Sequence, residues 1–256
     1  MDRSTFLKTL GLGAAGLALG GVETAWQPRV SEAAAADYGA LSICCFGDST
    51  TWGANGEASG GGNEIAWPAK LQQLLGCRAV YNIGKKGSRL AVSEGRDDSF
   101  VERLPQVLAQ PADVYLLLGG VNDFQHDVPV GALGDTEKTT VHGALHIIIE
   151  GILTKYPQSR LIVMTPMKNN FHHPTKHYPT SFETNGQGLT QAAYAQAVRE
   201  AAETYGLPVI DLYASSGISP FVPAQQKLYM PDGLHYSEAG YERLARRIAA
   251  GLRAVL

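Results

Sequence analysis

The chain has 256 residues, 45% of them apolar and 18% charged, a composition that suits one large globular core and excludes a disordered chain. Its 21 basic and 24 acidic residues leave a formal net charge of −3 with no basic block or arginine-rich stripe. That distribution excludes nucleic-acid binding through clustered phosphate contacts.

Residues 1–36 read as an export segment. Arg3 and Lys8 precede an apolar Gly/Ala/Leu-rich run over 9–22, and a polar stretch leads to small residues at 33–36. The run is about fourteen residues long, short of the ~20 that span a bilayer. Residues 2–8 resemble the twin-arginine export motif, with Ser4 where the second arginine would stand. The expectation is a secretory signal cut near Ala36, an exported location, no stable membrane insertion afterwards, and one domain over 37–256.

Beyond that segment, short apolar runs alternate with amphipathic stretches. Residues 41–46 (LSICCF) form the first predicted strand, ending at Gly47. A helix follows over 67–75, with Pro68 at an early position that tolerates it. The second strand is expected over 78–82, and a helix over 99–109 despite Pro105. Residues 114–118 (VYLLL) are apolar throughout, as a strand covered on both faces should be. The spacing predicts a long helix over 137–155, with Val141, Leu145, Ile148 and Ile152 on one stripe. Then come a strand over 161–164, a helix over 190–205, a strand over 208–212 and a last helix over 237–256, with Ser237 as its N-cap. Such alternation argues for an α/β fold with a five-stranded parallel sheet and helices on both faces. Cys44 and Cys45 point to opposite faces of the first strand, so at most one of them approaches Cys77. All three read as buried small apolar residues and not as a disulfide framework or zinc site.

In open α/β sheets, ligands sit at the carboxyl ends of strands near the point where strand order reverses. Three polar, glycine-containing segments fall at such ends: GDST at 47–50, NIGKKG at 82–87 and GGVND at 119–123. A fourth, DGLH at 232–235, precedes the last helix, which can return it to the same rim. Ser49 is the candidate nucleophile; a serine hydroxyl needs a base to take its proton. The competing reading is that Asp48, Ser49 and Thr50 only cap a helix. His235 is the candidate base, and Asp232, three residues earlier, is spaced to hold one ring nitrogen and leave the other for the serine. Acyl transfer builds negative charge on a carbonyl oxygen, and donors aimed there typically contribute ~3 kcal/mol each. The candidates are the backbone N–H of Ser49 and of Gly87 and the side-chain amide of Asn122. Asn82 and Asp123 are expected to brace turns. His142 and His146 are four apart on a helix, but no third ligand has fitting spacing, so no metal is expected. His172, His173 and His177 lie in a long loop and are expected to line or decorate it.

The four segments, in this order, resemble the blocks of the SGNH hydrolases, also called the GDSL esterase/lipase family, over residues 41–256. Gly87 closes the second block and Gly120-Val121-Asn122-Asp123 matches the third. The resemblance implies a flavodoxin-like three-layer α/β/α sandwich, no cofactor, and ester hydrolysis through an acyl-enzyme. Lys85 and Lys86 depart from the family's usual small or apolar residues before that glycine. Substrate choice is expected in three loops, 51–66, 124–135 and 167–188, the last carrying Phe171, Tyr178 and Phe182. Trp52 is a candidate platform beside them, while Trp67 reads as core. Their mixture of aromatic and polar residues points to short-chain, acetyl esters of carbohydrates. A broad short-chain carboxylesterase or lysophospholipase, a glycan O-acetyltransferase, and a glycan-binding domain without turnover remain alternatives.

Overall fold

The apolar runs pair in parallel to form the middle of a sheet. In the computed structural model, which describes residues 37–57 and 60–256, that sheet has five strands. The export segment expected over 1–36 lies outside the described residues. Strand β1 (Ser42–Gly47) pairs with β2 (Ala79–Gly84) on one side and β3 (Val114–Leu118) on the other. Outside β3 lie β4 (Arg160–Met164) and the short β5 (Val209–Ile210), giving the order β2-β1-β3-β4-β5.

Every residue of β1 and β3 is buried, because helices cover both faces. Cys44, Phe46, Tyr115 and Leu117 pack under α3 (Phe100–Leu108), α5 (Val141–Lys155) and α6 (Gln191–Thr204). Ile43, Cys45, Leu116 and Leu118 pack under α2 (Trp67–Leu75) and α9 (Glu238–Val255) on the opposite face. The three-layer α/β/α sandwich follows from that division. Cys45 and Cys77 share the second core and Cys44 faces the first; all three are buried free thiols. Trp67 is fully buried, as a core residue.

Local chemistry sets the boundaries. Ser99 caps α3 in a reciprocal capping box with Glu102, and the helix runs through Pro105. Ser237 caps α9 by accepting from Gly240 N–H. α5 begins at Val141 rather than at residue 137, because Thr140 accepts from Gly143 N–H and is therefore the cap. β2 starts one residue later than its apolar pattern suggested and runs on to Gly84, in register with β1. The strand expected over 208–212 shortens to two residues, because Asp211 caps a new turn of helix, α7 (Leu212–Ser215).

Three further short helices had no periodic signal to reveal them: α1 (Ser49–Trp52), which the GDST segment suggested only as a start, α4 (Val121–Gln125) and α8 (Pro223–Tyr229). Four to seven residues are too few for a 3.6-residue period to register. Two of these, α1 and α4, leave the adjacent strands β1 and β3, whose ends Gly47 and Leu118 are level in the ladder. Strand order reverses at that pair, where two loops diverge and leave a crevice.

Candidate active site

The crevice begins at Gly47. A Cβ there would stand 1.8 Å from Thr51 Oγ1, so only glycine lets the chain fold back into α1 directly after the strand. Asp48 caps α1 by accepting from Thr50 N–H at 2.9 Å, which leaves Ser49 as its first residue. Complete burial pushes the Asp48 carboxyl up to about 6, against the pull of Thr50 N–H and of the His235 and Arg103 charges. The capping reading of this segment therefore holds for Asp48, and Ser49 is left for other contacts.

Ser49 Oγ lies 3.1 Å from His235 Nε2, and His235 Nδ1 lies 2.7 Å from Asp232 Oδ2. Asp232 Oδ1 accepts from the backbone N–H of Leu234 at 2.9 Å and of His235 at 2.7 Å. Burial works against the charged form of Asp232, but the His235 hydrogen bond and charge and the two N–H groups outweigh it and hold this carboxyl below its usual range. An ionised carboxylate only accepts, so Nδ1 carries the proton, and in its neutral form the ring offers its Nε2 lone pair to the serine hydroxyl.

Gly87 has φ +71°, a left-handed conformation that glycine adopts without strain, and it lines the same pocket. Asn122 sits in the first turn of α4 rather than at the strand end itself. One amide proton goes to Ser88 O at 3.0 Å; the other has only a long contact of 3.4 Å to Asp48 Oδ2 and faces the pocket. Five residues from four distant segments, Ser49, Gly87, Asn122, Asp232 and His235, thus line one cavity of about 560 Å³.

The bracing residues are also in place. Asp123 is fully buried and accepts from Leu90 N–H at 2.9 Å and Ala91 N–H at 3.1 Å, tying α4 to the segment after Gly87. Burial pushes its carboxyl up to about 6 despite those two donors. Asn82 donates to Thr51 O and Asn63 Oδ1, both at 2.8 Å, and accepts from Gly84 N–H. His142 and His146 have separate partners: the former pairs with Glu200 at 3.3 Å and the latter packs on Tyr205.

Sequence reasoning missed Arg103. Its guanidinium is buried in α3 and donates to Gly47 O twice at 3.2 Å, to Ile83 O at 2.6 Å and to Ser88 Oγ at 2.7 Å. It therefore joins the carbonyl of the first GDST residue to the residue after Gly87. A charge on the apolar stripe of Phe100, Leu104 and Val107 was the available signal. His126 was missed as well. It donates from Nδ1 to Asn122 O at 2.9 Å and turns its other edge to the pocket.

The loops contribute unequally. His172, His173, Phe171 and Tyr178 line the cavity, with Phe171 edge-on to the His235 ring at 5.9 Å between centroids. The backbone N–H of His172 donates to Asp232 O, which couples this loop to the DGLH turn. His177 is exposed away from the lining, and Phe182 packs on Phe221 instead. The 124–135 loop supplies only its first residues, Gln125 and His126. Lys86 lines the cavity and covers Trp52, while Lys85 is exposed.

The sequence profile of the GDSL-like Lipase/Acylhydrolase family matches residues 45–243. One solved crystal structure is 55% identical, covering 86% of this chain and 99% of that one, with a TM-score of 0.81. The native aryl esterase of M. smegmatis is 22% identical over 85% of this chain and all of its own (100%), with a TM-score of 0.64. A carbohydrate acetylesterase family member from Sinorhizobium meliloti is 21% identical, covering 83% and 97%, with a TM-score of 0.60. These last two share the fold. No protein of curated function matches the sequence. With its profile match running from the end of β1 into α9, the chain belongs to the GDSL-like lipase/acylhydrolase family and is a carboxylic ester hydrolase.

Proposed function

We propose that the protein removes short acyl groups, acetyl foremost, from esters of carbohydrates, using Ser49 as nucleophile, His235 as general base and Asp232 as its orienting partner. The observation that carries this reading is the unbroken chain of contacts from Ser49 Oγ through His235 to Asp232 at 3.1 and 2.7 Å. His235 Nε2 takes the hydroxyl proton as Ser49 Oγ attacks the ester carbonyl, and Asp232 stabilises the imidazolium. The N–H groups of Ser49 and Gly87 and the Asn122 amide receive the developing oxyanion. His235 then gives its proton to the departing alcohol. Water, activated by the same ring, attacks the acyl-Ser49 ester and releases the acid.

The carbohydrate preference rests on the cavity wall, which sets Phe171 and Tyr178 among Gln125, His126, His172 and Lys86. Rings offer a face to a sugar, and the polar edges offer hydrogen bonds to its hydroxyls. Similarity to the S. meliloti acetylesterase family member points the same way. The stacked pair Phe171–Tyr178, 5.6 Å between centroids, also favours a second reading as an aryl or broad short-chain esterase, the activity named for the M. smegmatis neighbour. The charged, apolar and small-residue pattern of residues 1–36 supports a protein that meets its substrate outside the cytoplasm. No helix among the described residues is long and apolar enough to cross a membrane.

A series of para-nitrophenyl esters from acetyl to octanoyl, run beside acetylated oligosaccharides, tests the assignment. The expected result is acetyl well above octanoyl and acetate released from the sugars. Octanoyl exceeding acetyl contradicts it, and aryl acetates cleaved with acetylated sugars untouched select the second reading. Acetylated acceptor exceeding free acetate would instead make the protein a transferase.

A further inference from the structure

Two cations stand inside the reaction cavity with no catalytic task assigned to them: Lys86 and Arg96. Arg96 lies against Gly87, and Lys86 is the residue before it. A Cβ on that glycine would lie 3.4 Å from Arg96 Nη2 and 3.9 Å from Nη1, so the guanidinium leans directly over the backbone that flanks the oxyanion position. Asp98 receives Arg96 Nε at 2.9 Å and Nη2 at 2.7 Å, which orients the fork and leaves the Nη1 protons without a protein acceptor among the described residues. Lys86 has no carboxylate within ion-pair distance among the described residues. Its ammonium rests 4.0 Å over the Trp52 ring and makes one long contact, 3.4 Å, to Gly60 O.

The negative charges that line the cavity do not answer these two. Asp232 has both oxygens engaged by His235 and Leu234, and Glu57 is exposed at the mouth. Behind Arg96 lies a third cation, Arg89, whose Nε is buried without a hydrogen-bond partner. Asp98 answers Arg96 from outside the cavity lining, so within the lining Lys86 and the Nη1 edge of Arg96 face the place where an ester must bind. A low-dielectric cavity makes such charge more effective than it is on an open surface.

We propose that Lys86 and Arg96 form an anion subsite, and that the alcohol part of the natural ester carries a carboxylate or phosphate next to the acylated hydroxyl. The inference rests on the acetylesterase reading, since an acetyl group is too small to bear the charge itself. It narrows the substrate class from carbohydrate esters to esters of acidic sugars.

The test compares meta-acetoxybenzoate with its neutral methyl ester, each kcat/KM divided by the rate of the same ester with hydroxide. At low salt the anionic ester is expected to be favoured by roughly tenfold or more, with the preference shrinking as salt is added. In K86Q/R96Q the preference is expected to fall to about one, and Arg96→Lys, which keeps the charge but loses the fork held by Asp98, to give a value between the two. A wild-type ratio at or below one overturns the proposal, as does a ratio that salt leaves unchanged. If the double variant does not fold, the wild-type ratio and its salt dependence decide. Acetylated methyl glucuronoside and acetylated glucose phosphate, run against acetylated methyl glucoside, separate carboxylate from phosphate; the neutral sugar exceeding both overturns the subsite. Failure of the underlying acetylesterase reading has its own signature, the absence of Ser49-dependent cleavage of either aryl ester.

Discussion

Asn122 has one amide proton committed to Ser88 O and one available to the cavity, so on the proposed mechanism that second proton is the one offered to the oxyanion. Steady-state kinetics on para-nitrophenyl acetate should therefore show Asn122→Ala losing roughly 10²–10³ in kcat, because the donor acts on charge present only in the transition state. A change confined to KM would place Asn122 in ground-state binding instead. Its neighbour Asp123 makes a pH prediction. Its folded carboxyl, pushed up to about 6, titrates above the unfolded value of roughly 3.9. A raised acid favours the folded state most fully below the unfolded pKa, and that contribution is lost as pH rises through the folded one. Urea unfolding of wild type and Asp123→Asn should show the wild type's stability relative to the variant falling by on the order of 2 kcal/mol between about pH 4 and 7. A difference independent of pH would mean that the Asp123 carboxyl titrates alike in the folded and unfolded chain.

At the scale of elements, the site is where helices meet strand ends, and Arg103 of α3 is the joint. Its donors satisfy the carbonyls of Gly47 and Ile83 at the ends of β1 and β2 and reach Ser88, whose own carbonyl orients Asn122. Burial lowers this guanidinium to about 10, still cationic at neutral pH. Arg103→Met should cost about 2–3 kcal/mol in urea unfolding, because those carbonyls lose a charged donor. It should also lower kcat more than KM, since Ser88 and Gly87 move together. A variant equally stable and equally active would reduce Arg103 to packing against Phe46 and Phe100. This joint also marks the limit of reading the fold from the chain. The long amphipathic and apolar segments declared α2, α3, β3 and α9 within a residue or two, because periodicity accumulates with length. α1, α4 and α8 escaped because one or two turns are too short to show a period. Ser49 stood out as a candidate through its GDST segment and Asp232 and His235 through their three-residue spacing, and the fold brings the three into contact, whereas Arg103 and His126 act across elements that only folding brings together.

For the whole molecule, the rim of a parallel sheet supplies the reaction and three loops supply the walls. The sheet's strand ends are level at Gly47 and Leu118, which sets Ser49 and Asn122 side by side on opposite flanks of the reversal point. The 167–188 loop is tied to the acid–base turn through Asn170 N–H to Gly233 O at 2.8 Å and His172 N–H to Asp232 O at 3.2 Å. The loop that carries Phe171 and the turn that carries the proposed base are thus hydrogen-bonded together, and changes at Phe171 should act on the base as well as on the substrate. Phe171→Ala is expected to lower kcat/KM for aryl and acetyl esters alike by roughly tenfold, with KM and kcat both affected. Selective loss on one acyl length alone would make that ring a specificity wall only. The central claim, that Ser49 carries the acyl group, is tested most directly by para-nitrophenyl acetate hydrolysis in wild type and Ser49→Ala, with folding of both checked by circular dichroism. The account predicts a loss of roughly 10³-fold or more in the variant; a folded Ser49→Ala protein that cleaves at the wild-type rate would contradict it.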